Sequence, residues 1–249
     1  SWPYLVLLLP PLFWAGNFIV GRAFSAELGA ITMSFYRWLL ALCLLAPFAY
    51  SRVRKELPII LNHLPILTVL ALLSVASFNV LLYLGLRDTE ATNALLINSS
   101  IPVWIVLFGV LFYNDSLTLR RGLGILVSLF GVSFLIFSGQ SQGLTVNPGD
   151  LWVISSSIGW ALYSLTLRKK PSDLSGLGFL AYIVLFGVCF NGLLLVINPL
   201  DEAPLPMTLD TLYAVGYVAI FASLGAYVCW NYGVGQLGAQ VAGQYIHLM

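Results

Sequence analysis

This sequence of 249 residues contains few charged residues. Only 8% of its residues are Asp, Glu, Lys or Arg, whereas 59% are hydrophobic and the mean hydropathy is +0.93. A globular domain has about 25% charged residues because most of its surface faces water. This composition therefore excludes a soluble globular protein, and the net charge of +1 gives no electrostatic reason to expect a nucleic-acid partner.

The sequence also lacks the patterns that mark catalytic and metal sites. It has no Gly-rich phosphate loop, no HExxH and no GxSxG, and its three cysteines lie too far apart to form a metal cluster. An enzyme within a membrane would need a nucleophile, a metal or an acid/base pair inside an apolar segment. His247 lies in such a segment but has no carboxylate or cysteine near it in sequence. We therefore predict a protein that is not an enzyme and binds no cofactor and no metal.

Long apolar segments dominate the sequence. A membrane-spanning helix needs about 20 mostly apolar residues. Eight such segments, here called spans 1 to 8, lie near residues 4–22, 30–50, 65–86, 91–113, 122–139, 150–167, 177–197 and 211–232, and span 9 begins near 238 and continues to Met249. Span 1 lacks the basic leader and the cleavage site of a signal peptide, so we expect it to be a retained helix.

The basic residues predict how these spans are oriented. Eight of the eleven Lys and Arg residues follow spans 2, 4 and 6, whereas the connectors 138–150 and 198–210 carry only acidic charges. Loops rich in Lys and Arg stay in the cytoplasm. We therefore predict a multi-pass protein of the cell inner membrane with a cytoplasmic N-terminus.

The chain contains a weak internal repeat. At an offset of 146 residues, Trp14, Ala15 and Arg22 align with Trp160, Ala161 and Arg168; at an offset of 148, Gly85, Ala91 and Ala94 align with Gly233, Ala239 and Ala242. An odd number of spans separates the copies, so the second copy is inverted in the membrane. Inverted repeats are typical of transporters that open alternately to the two sides. The predicted halves are residues 1–139 and 150–249.

Three sequence stretches resemble a known family: FWAGNFIVGR in span 1, SFYRW in span 2 and ATNALLINSSIPVW in span 4. Together with the inverted repeat, they resemble the drug/metabolite transporter superfamily in its EamA branch. The aromatic-rich spans are similar to the YddG-type amino-acid exporters of that branch. The resemblance implies an all-α membrane fold built as an inverted repeat of two five-helix bundles. It also implies ten helices, of which about nine are present here, because span 9 stops one residue before the counterpart of Pro102.

The same resemblance implies export of aromatic and other neutral amino acids and related metabolites by alternating access. None of the ten acidic residues lies in the middle of a span, and a proton-driven antiporter normally holds an intramembrane carboxylate. This favours facilitated or weakly coupled transport. The alternative is a drug or metabolite carrier of the same superfamily with proton-coupled antiport, and a pore or an intramembrane enzyme are further alternatives. The expected partners are the lipid bilayer and the substrate, and a monomer is compatible with the sequence.

Polar side chains on one face of a span predict the substrate pathway, because such groups are costly in hydrocarbon. Span 1 carries Trp14 and Asn17, which the repeat aligns with Trp160 and Tyr163 of span 6. Spans 3 and 8 carry the same two residue types in reversed order, Asn79 and Tyr83 in span 3 and Tyr227 and Asn231 in span 8. Amides and phenols offer donors and acceptors to a zwitterion. The alternative is that these residues pack the helices and bond them to one another.

Two further features complete the predicted site. Gln240, Gln244 and His247 share one face of span 9, with Asn98 near their counterparts in span 4. Arg37 is the only charge well inside a span, about 10 Å from its outer end at 1.5 Å per residue. It either binds the substrate carboxylate or hydrogen-bonds backbone carbonyls near a helix break. The predicted binding residues are Trp14, Asn17, Arg37, Asn79, Tyr83, Asn98, Trp160, Tyr163, Tyr227, Gln244 and His247.

Overall fold

The computed structural model describes residues 2–116, 147–198 and 205–249 continuously, with isolated positions between 118 and 134. All regular structure in these residues is helical, which confirms the predicted all-α fold. Span 5, predicted over 122–139, falls largely outside the described residues. The helices of the first half are Trp2–Val6 and Leu9–Ala23 in span 1, Ala30–Asn62 in span 2, Leu64–Ala71, Leu72–Ala76 and Phe78–Asp88 in span 3, and Ala91–Asn98 and Ile101–Tyr113 in span 4.

The second half has the same kind of organisation. Its helices are Pro148–Thr166 and Leu167–Lys169 in span 6, Gly176–Ile197 in span 7, Leu209–Tyr217, Val218–Gly225 and Ala226–Leu237 in span 8, and Ala239–Gln244 and Tyr245–Leu248 in span 9. Six of the described helical stretches, those of spans 1 to 4, 7 and 8, are long and apolar enough to cross a membrane. The chain is therefore a multi-pass membrane protein.

Proline explains two of the helix breaks. Pro10 and Pro11 stand in the first turn of Leu9–Ala23, and Pro102 stands in the first turn of Ile101–Tyr113. Proline has no N–H to give to the preceding turn, so it suits the start of a helix.

Span 2 is longer than the sequence predicts, because it runs to Asn62 rather than to about residue 50. Arg52, Arg54 and Lys55 therefore lie on helix and not on a loop. The extension packs on the start of span 7. There Glu56 pairs with Arg52 at 3.1 Å and accepts hydrogen bonds from the backbone N–H and the hydroxyl of Ser175.

The repeat is visible in two π-helical segments, Leu72–Ala76 in span 3 and Val218–Gly225 in span 8. In each half a serine within or directly after the segment donates to the carbonyl five residues earlier. Ser77 Oγ donates to Leu72 O at 2.5 Å, and Ser223 Oγ donates to Val218 O at 2.8 Å. Both serines and both carbonyls correspond at the offset of 146, so the two halves share an irregular feature and not only their helical content.

Equivalent ends of the two halves lie on opposite faces of the bundle. Arg22, at the end of span 1, bonds to Leu86 O at 2.8 Å and to Glu90 at 3.1 Å, near the end of span 3. Span 6 begins at that same face, since Asn147 Nδ2 donates to Asp88 O. Span 6 therefore ends at the opposite face, where Arg168 pairs with Asp115 at 2.9 Å. We call these the Arg22 face and the Arg168 face, and the inversion that they show agrees with the predicted repeat.

The backbones of the two halves approach each other closely where span 3 crosses span 6. A β-carbon added to Gly85 would lie 2.8 Å from Gly149 O, and one added to Gly149 would lie 2.7 Å from Gly85 O. Larger residues would push the backbones apart at this point. Next to it the buried Asp150 accepts hydrogen bonds from Thr89 Oγ1 at 2.7 Å and Asn93 Nδ2 at 2.8 Å, which join the two halves at the Arg22 face.

Candidate functional site

Arg37 lies in the middle of the bundle and is 1% exposed. Its guanidinium donates hydrogen bonds to four side chains. Nε donates to Ser223 Oγ at 2.9 Å, and Nη1 donates to Asn17 Oδ1 at 2.9 Å, to Asn79 Oδ1 at 2.7 Å and to Tyr83 Oη at 2.7 Å. Nη2 makes a weaker contact with the backbone carbonyl of Val218, at 3.5 Å. Arg37 therefore faces the interior and does not extend to the membrane surface. Side chains hold it more than the backbone carbonyls expected near a helix break.

Among the described residues, no carboxylate forms an ion pair with Arg37. The ion pairs among the described residues are Arg22–Glu90, Arg52–Glu56 and Arg168–Asp115, and Arg37 takes part in none of them. Its guanidinium lies 5.1 Å from the ring centroid of Trp38, a contact that offsets part of the cost of burial. A buried charge without an opposite charge is unfavourable, so an anion that entered the site would be stabilised next to Arg37.

Hydrogen-bond donors exceed acceptors around Arg37. Four buried donors have no partner among the described residues, namely Trp38 Nε1, Asn79 Nδ2, Trp160 Nε1 and Tyr227 Oη. All four belong to side chains that contact Arg37 or its neighbours, since Trp38 packs on Tyr227 at 5.0 Å and Tyr227 packs on Trp160 at 5.2 Å. Unpaired buried donors are unfavourable. An acceptor that enters the site would pair them.

Trp160 is the centre of an aromatic cluster beside this arginine. Its ring centroid lies within 6 Å of five other aromatic rings: Phe78 at 4.9 Å, Trp14 and Tyr163 at 5.0 Å, Tyr227 at 5.2 Å and Trp230 at 5.7 Å. Trp14 is fixed by a hydrogen bond from its Nε1 to Ala222 O in the π-helical segment of span 8. The cluster offers ring faces and edges to an apolar group bound next to Arg37.

The two halves contain matching Tyr–Asn hydrogen bonds with the residue types exchanged. In the first half Tyr83 Oη donates to Asn17 Oδ1 at 2.7 Å, and in the second half Tyr163 Oη donates to Asn231 Oδ1 at 2.6 Å. The reversed order of these residues in the sequence thus produces the same bond in each half. Arg37 has no such counterpart, because offsets of 146 and 148 lead to Ile183 and Leu185.

The structure brings most of the predicted site residues together. Asn98 joins the cluster as well, since it accepts from Ser157 Oγ at 3.1 Å and lines a small cavity with Trp14, Asn17 and Trp160. This cavity measures about 10 Å³, which is room for about one water molecule. The site is therefore closed, and a larger molecule enters only if the helices separate.

Gln244 and His247 are not brought to this cluster. Both are exposed in the structure. The α-helix of span 9 ends at Gln244 and continues as a tighter 3-10 helix, and this turns Ile246 toward the small cavity. Their role in binding stays a prediction that the geometry of the cluster does not support.

Sequence reasoning missed three residues of the site. Trp38 and Trp230 look like ordinary apolar residues of spans 2 and 8, although Trp38 follows Arg37 directly in SFYRW. Ser223 could have been found from the repeat, because Ser77 is its counterpart at the offset of 146. Among the described residues no group of His, Cys, Asp and Glu side chains is placed to hold a metal ion.

Comparisons with known proteins agree with this architecture. The EamA-like transporter family matches residues 1–137 and 147–249. The chain is 26% identical over 187 residues to the uncharacterized transporter YyaM of Bacillus subtilis, covering 73% of this chain and 60% of that protein. It is 27% identical over 248 residues to an uncharacterized transporter of Archaeoglobus fulgidus, covering 99% of this chain and 84% of that protein.

Two further comparisons concern substrate and fold. The chain is 23% identical over 250 residues to a probable terminal-alkyne amino-acid exporter of Streptantibioticus cattleyicolor, covering 98% of this chain and 80% of that protein. A solved crystal structure superposes with a TM-score of 0.65 at 16% identity, covering 100% of this chain and 86% of the other. At this identity the likeness extends to the fold alone.

Proposed function

We propose, from the premise that this chain belongs to the EamA-like transporter family, that it exports amino acids by alternating access, with Arg37 binding the carboxylate of the substrate. Aromatic and other neutral amino acids and related metabolites are the proposed substrates. Like its named relatives, the chain is a membrane transporter and not an enzyme.

The observation that carries this proposal is the buried, unneutralised Arg37 surrounded by unpaired donors. An ionised carboxylate only accepts hydrogen bonds and has two oxygens with about four acceptor positions. Arginine binds such a group with parallel N–H bonds. The weak 3.5 Å contact of Nη2 with Val218 O leaves that nitrogen able to turn to a carboxylate, and Asn79 Nδ2 and Tyr227 Oη add two donors.

The side chain of the substrate would lie against the aromatic cluster around Trp160. Aromatic rings pack with apolar and unsaturated groups through their faces and edges. One relative is named as a probable exporter of terminal-alkyne amino acids, which are unsaturated and carry the same carboxylate. This supports an amino acid with an apolar side chain.

Facilitated transport is the proposed mode, with proton-coupled antiport as the second candidate. No carboxylate pairs with Arg37 among the described residues, so this part of the chain offers no acid next to Arg37 that would exchange a proton against substrate. The second candidate rests on Asp150, which is 3% exposed and lies between the halves. We further propose an inner-membrane protein with a cytoplasmic N-terminus, halves at residues 1–139 and 150–249, and a monomeric state.

The proposal is tested by measuring L-phenylalanine binding and uptake in proteoliposomes for the wild type, Arg37→Gln and the exposed control Arg87→Gln. Hydrogen bonds to charged groups contribute about 1.5–3 kcal/mol, so Arg37→Gln should raise Kd at least about tenfold. Arg87→Gln should leave it unchanged. Phenethylamine, which has the same ring without the carboxylate, should compete poorly with L-phenylalanine for binding to the wild-type protein. Equal competition by phenethylamine, or an unchanged Kd in folded Arg37→Gln, would refute the role of Arg37.

A further inference from the structure

A second and much larger cavity, of about 750 Å³, opens near the Arg168 face between the beginning of span 7 and the end of span 8. This volume lies in the range of about 300–1,000 Å³ that is usual for small-molecule sites. Lys170, Phe179, Val228, Asn231, Tyr232 and Gly235 are among its lining residues. The cavity thus combines a cation, an amide and aromatic rings, the same chemistry as the site around Arg37.

Lys170 is the cation best placed to attract an anion into this cavity. Its Nζ donates to Pro171 O at 3.1 Å and to Leu174 O at 2.5 Å and lies 5.8 Å from the ring centroid of Phe179. It takes part in none of the ion pairs of the described residues, whereas Arg168 is paired with Asp115. Partial burial lowers the pKa of Lys170, and the nearby Glu56 opposes this shift. Two of its three N–H groups are used, which leaves one for a ligand.

A hydrogen-bonded pair lies between the cavity and the aromatic cluster. Asn231 lines the cavity and accepts the hydrogen bond from Tyr163 Oη at 2.6 Å. Tyr163 is fully buried and packs on Trp160 at 5.0 Å. If the Tyr163–Asn231 bond opens, the cavity reaches the ring that lies at the centre of the proposed binding site.

The repeat allows this cavity to be compared with the corresponding region at the Arg22 face. Val228 and Tyr232 are 54% and 41% exposed. Their counterparts at the offset of 148, which aligns this part of the two halves, are Val80, which is 8% exposed, and Leu84, which is half-buried. Gly235 and its counterpart Arg87 are both exposed. Within the span, side chains are therefore more open at the Arg168 face than at the Arg22 face, a difference in the direction that alternating access requires.

We propose that this cavity is the entrance by which the substrate reaches Arg37 from the Arg168 face, and that Lys170 binds the substrate carboxylate there first. The Tyr163–Asn231 pair is the gate between the two sites. This inference rests on the proposed function, because it assumes a substrate with a carboxylate and an apolar side chain.

Cysteine accessibility tests the entrance. In a variant whose three native cysteines are replaced by alanine, Gly235→Cys is compared with Gly216→Cys, which also lies in span 8 but outside the cavity. A side chain has open space at both positions. A membrane-impermeant methanethiosulfonate should label residue 235 and not residue 216, and L-phenylalanine should slow the labelling of residue 235. Equal labelling rates at the two positions, or labelling of residue 235 that phenylalanine does not slow, would refute the proposal that this cavity is the entrance.

Lys170→Gln, compared with Lys169→Gln, tests the first binding site. Lys169 carries the same charge but does not line the cavity. A partly exposed ion pair contributes up to about 1 kcal/mol, so Lys170→Gln should raise KM for phenylalanine supplied at the Arg168 face about two- to fivefold. The maximal rate and the equilibrium Kd at Arg37 should not change, and Lys169→Gln should behave as the wild type.

These results distinguish the two proposals. If Arg37→Gln abolishes phenylalanine binding but Lys170→Gln leaves KM unchanged, then Lys170 is not a first binding site for the substrate and the proposed function stands. If phenylalanine is neither bound nor transported, the proposed function fails and the entrance fails with it.

Discussion

At the scale of single residues, Trp160 connects the rings of both halves. It packs on Trp14 and Phe78 of the first half and on Tyr163, Tyr227 and Trp230 of the second. A bound aromatic side chain would replace some of these ring contacts with its own. Trp160 is therefore the residue at which binding should discriminate among amino acids with different side chains.

Trp160→Ala should weaken the binding of phenylalanine more than that of alanine. An aromatic pair contributes about 0.5–1.5 kcal/mol beyond the burial of its area, which corresponds to a change in Kd of about two- to tenfold. Equilibrium binding to purified protein checks this, with Trp152→Ala as the control, because Trp152 lies in the same span but is 42% exposed. Trp160→Phe keeps a ring and should retain part of the preference. Equal losses for both amino acids in folded Trp160→Ala would contradict it.

The sequence predicts the polar residues of the site better than the apolar ones. Asn17, Arg37, Asn79 and Tyr83 are conspicuous because polar groups within spans need partners, and the structure joins all four in one network. Trp38 and Trp230 resemble many lipid-facing aromatic residues, so composition does not distinguish them. His247 is exposed after the change from α-helix to 3-10 helix in span 9, which no local signal predicts, and Gln244 is exposed at the last residue of the α-helix.

At the scale of helices, the π-helical segments supply free carbonyls to the site. In such a segment the hydrogen-bond pattern shifts by one residue, which leaves backbone groups available, and these segments are frequent at functional sites. Val218 O accepts from Ser223 and weakly from Arg37, and Ala222 O accepts from Trp14. The sequence does not predict this shift, because a serine within an apolar span is compatible with an ordinary α-helix as well.

The crossing of spans 3 and 6 should depend on Gly85. Gly85→Val would bring its side chain against Val153 and the carbonyl of Gly149, and overpacking of this kind costs about 1–3 kcal/mol. The midpoint of thermal unfolding in detergent should therefore fall by several degrees. Gly216→Val, also in a helix but with open space around it, controls for the change in helix propensity. A variant at Gly85 as stable as the one at Gly216 would show that the crossing is loose.

At the scale of the whole molecule, the two faces carry different connectors. The structure places residues 51 and 172 near the Arg168 face, since Arg52 and Ser175 both bond to Glu56. The connector that contains Met207 joins spans 7 and 8 at the other face. Which face is cytoplasmic is predicted from the distribution of Lys and Arg.

Cysteines at Ser51 and Ser172 should react with impermeant thiol reagents only from the cytoplasm, and a cysteine at Met207 only from outside. Met207 is 93% exposed, so its reactivity is not limited by packing. The measurement uses intact cells and inverted vesicles of a variant without native cysteines. Labelling of Ser51→Cys in intact cells would show that the protein has the opposite orientation in the membrane.

The fold as a whole was the most predictable part. Apolar segments of about 20 residues and weak identities at two offsets were sufficient to predict the helices and the inversion. The end of span 2 was not predictable, because Arg52, Arg54 and Lys55 have the composition of a loop. Contacts with the other half keep that segment packed, among them the hydrogen bonds of Glu56 with Ser175 and the burial of Ile60.

Arg37 has a consequence for the response of this protein to the membrane potential. Its charge is fixed within the bilayer and has no counterpart in the other half, so any rearrangement that shifts it along the membrane normal does electrical work. A full crossing would correspond to about 2.3 kcal/mol per 100 mV, and a partial shift to a fraction of this. A bound zwitterion adds no net charge, so voltage would bias the two conformations with or without substrate, while net transport of the zwitterion carries no current. We expect transient currents without a steady current when phenylalanine is applied to the protein on a supported membrane, and none in Arg37→Gln.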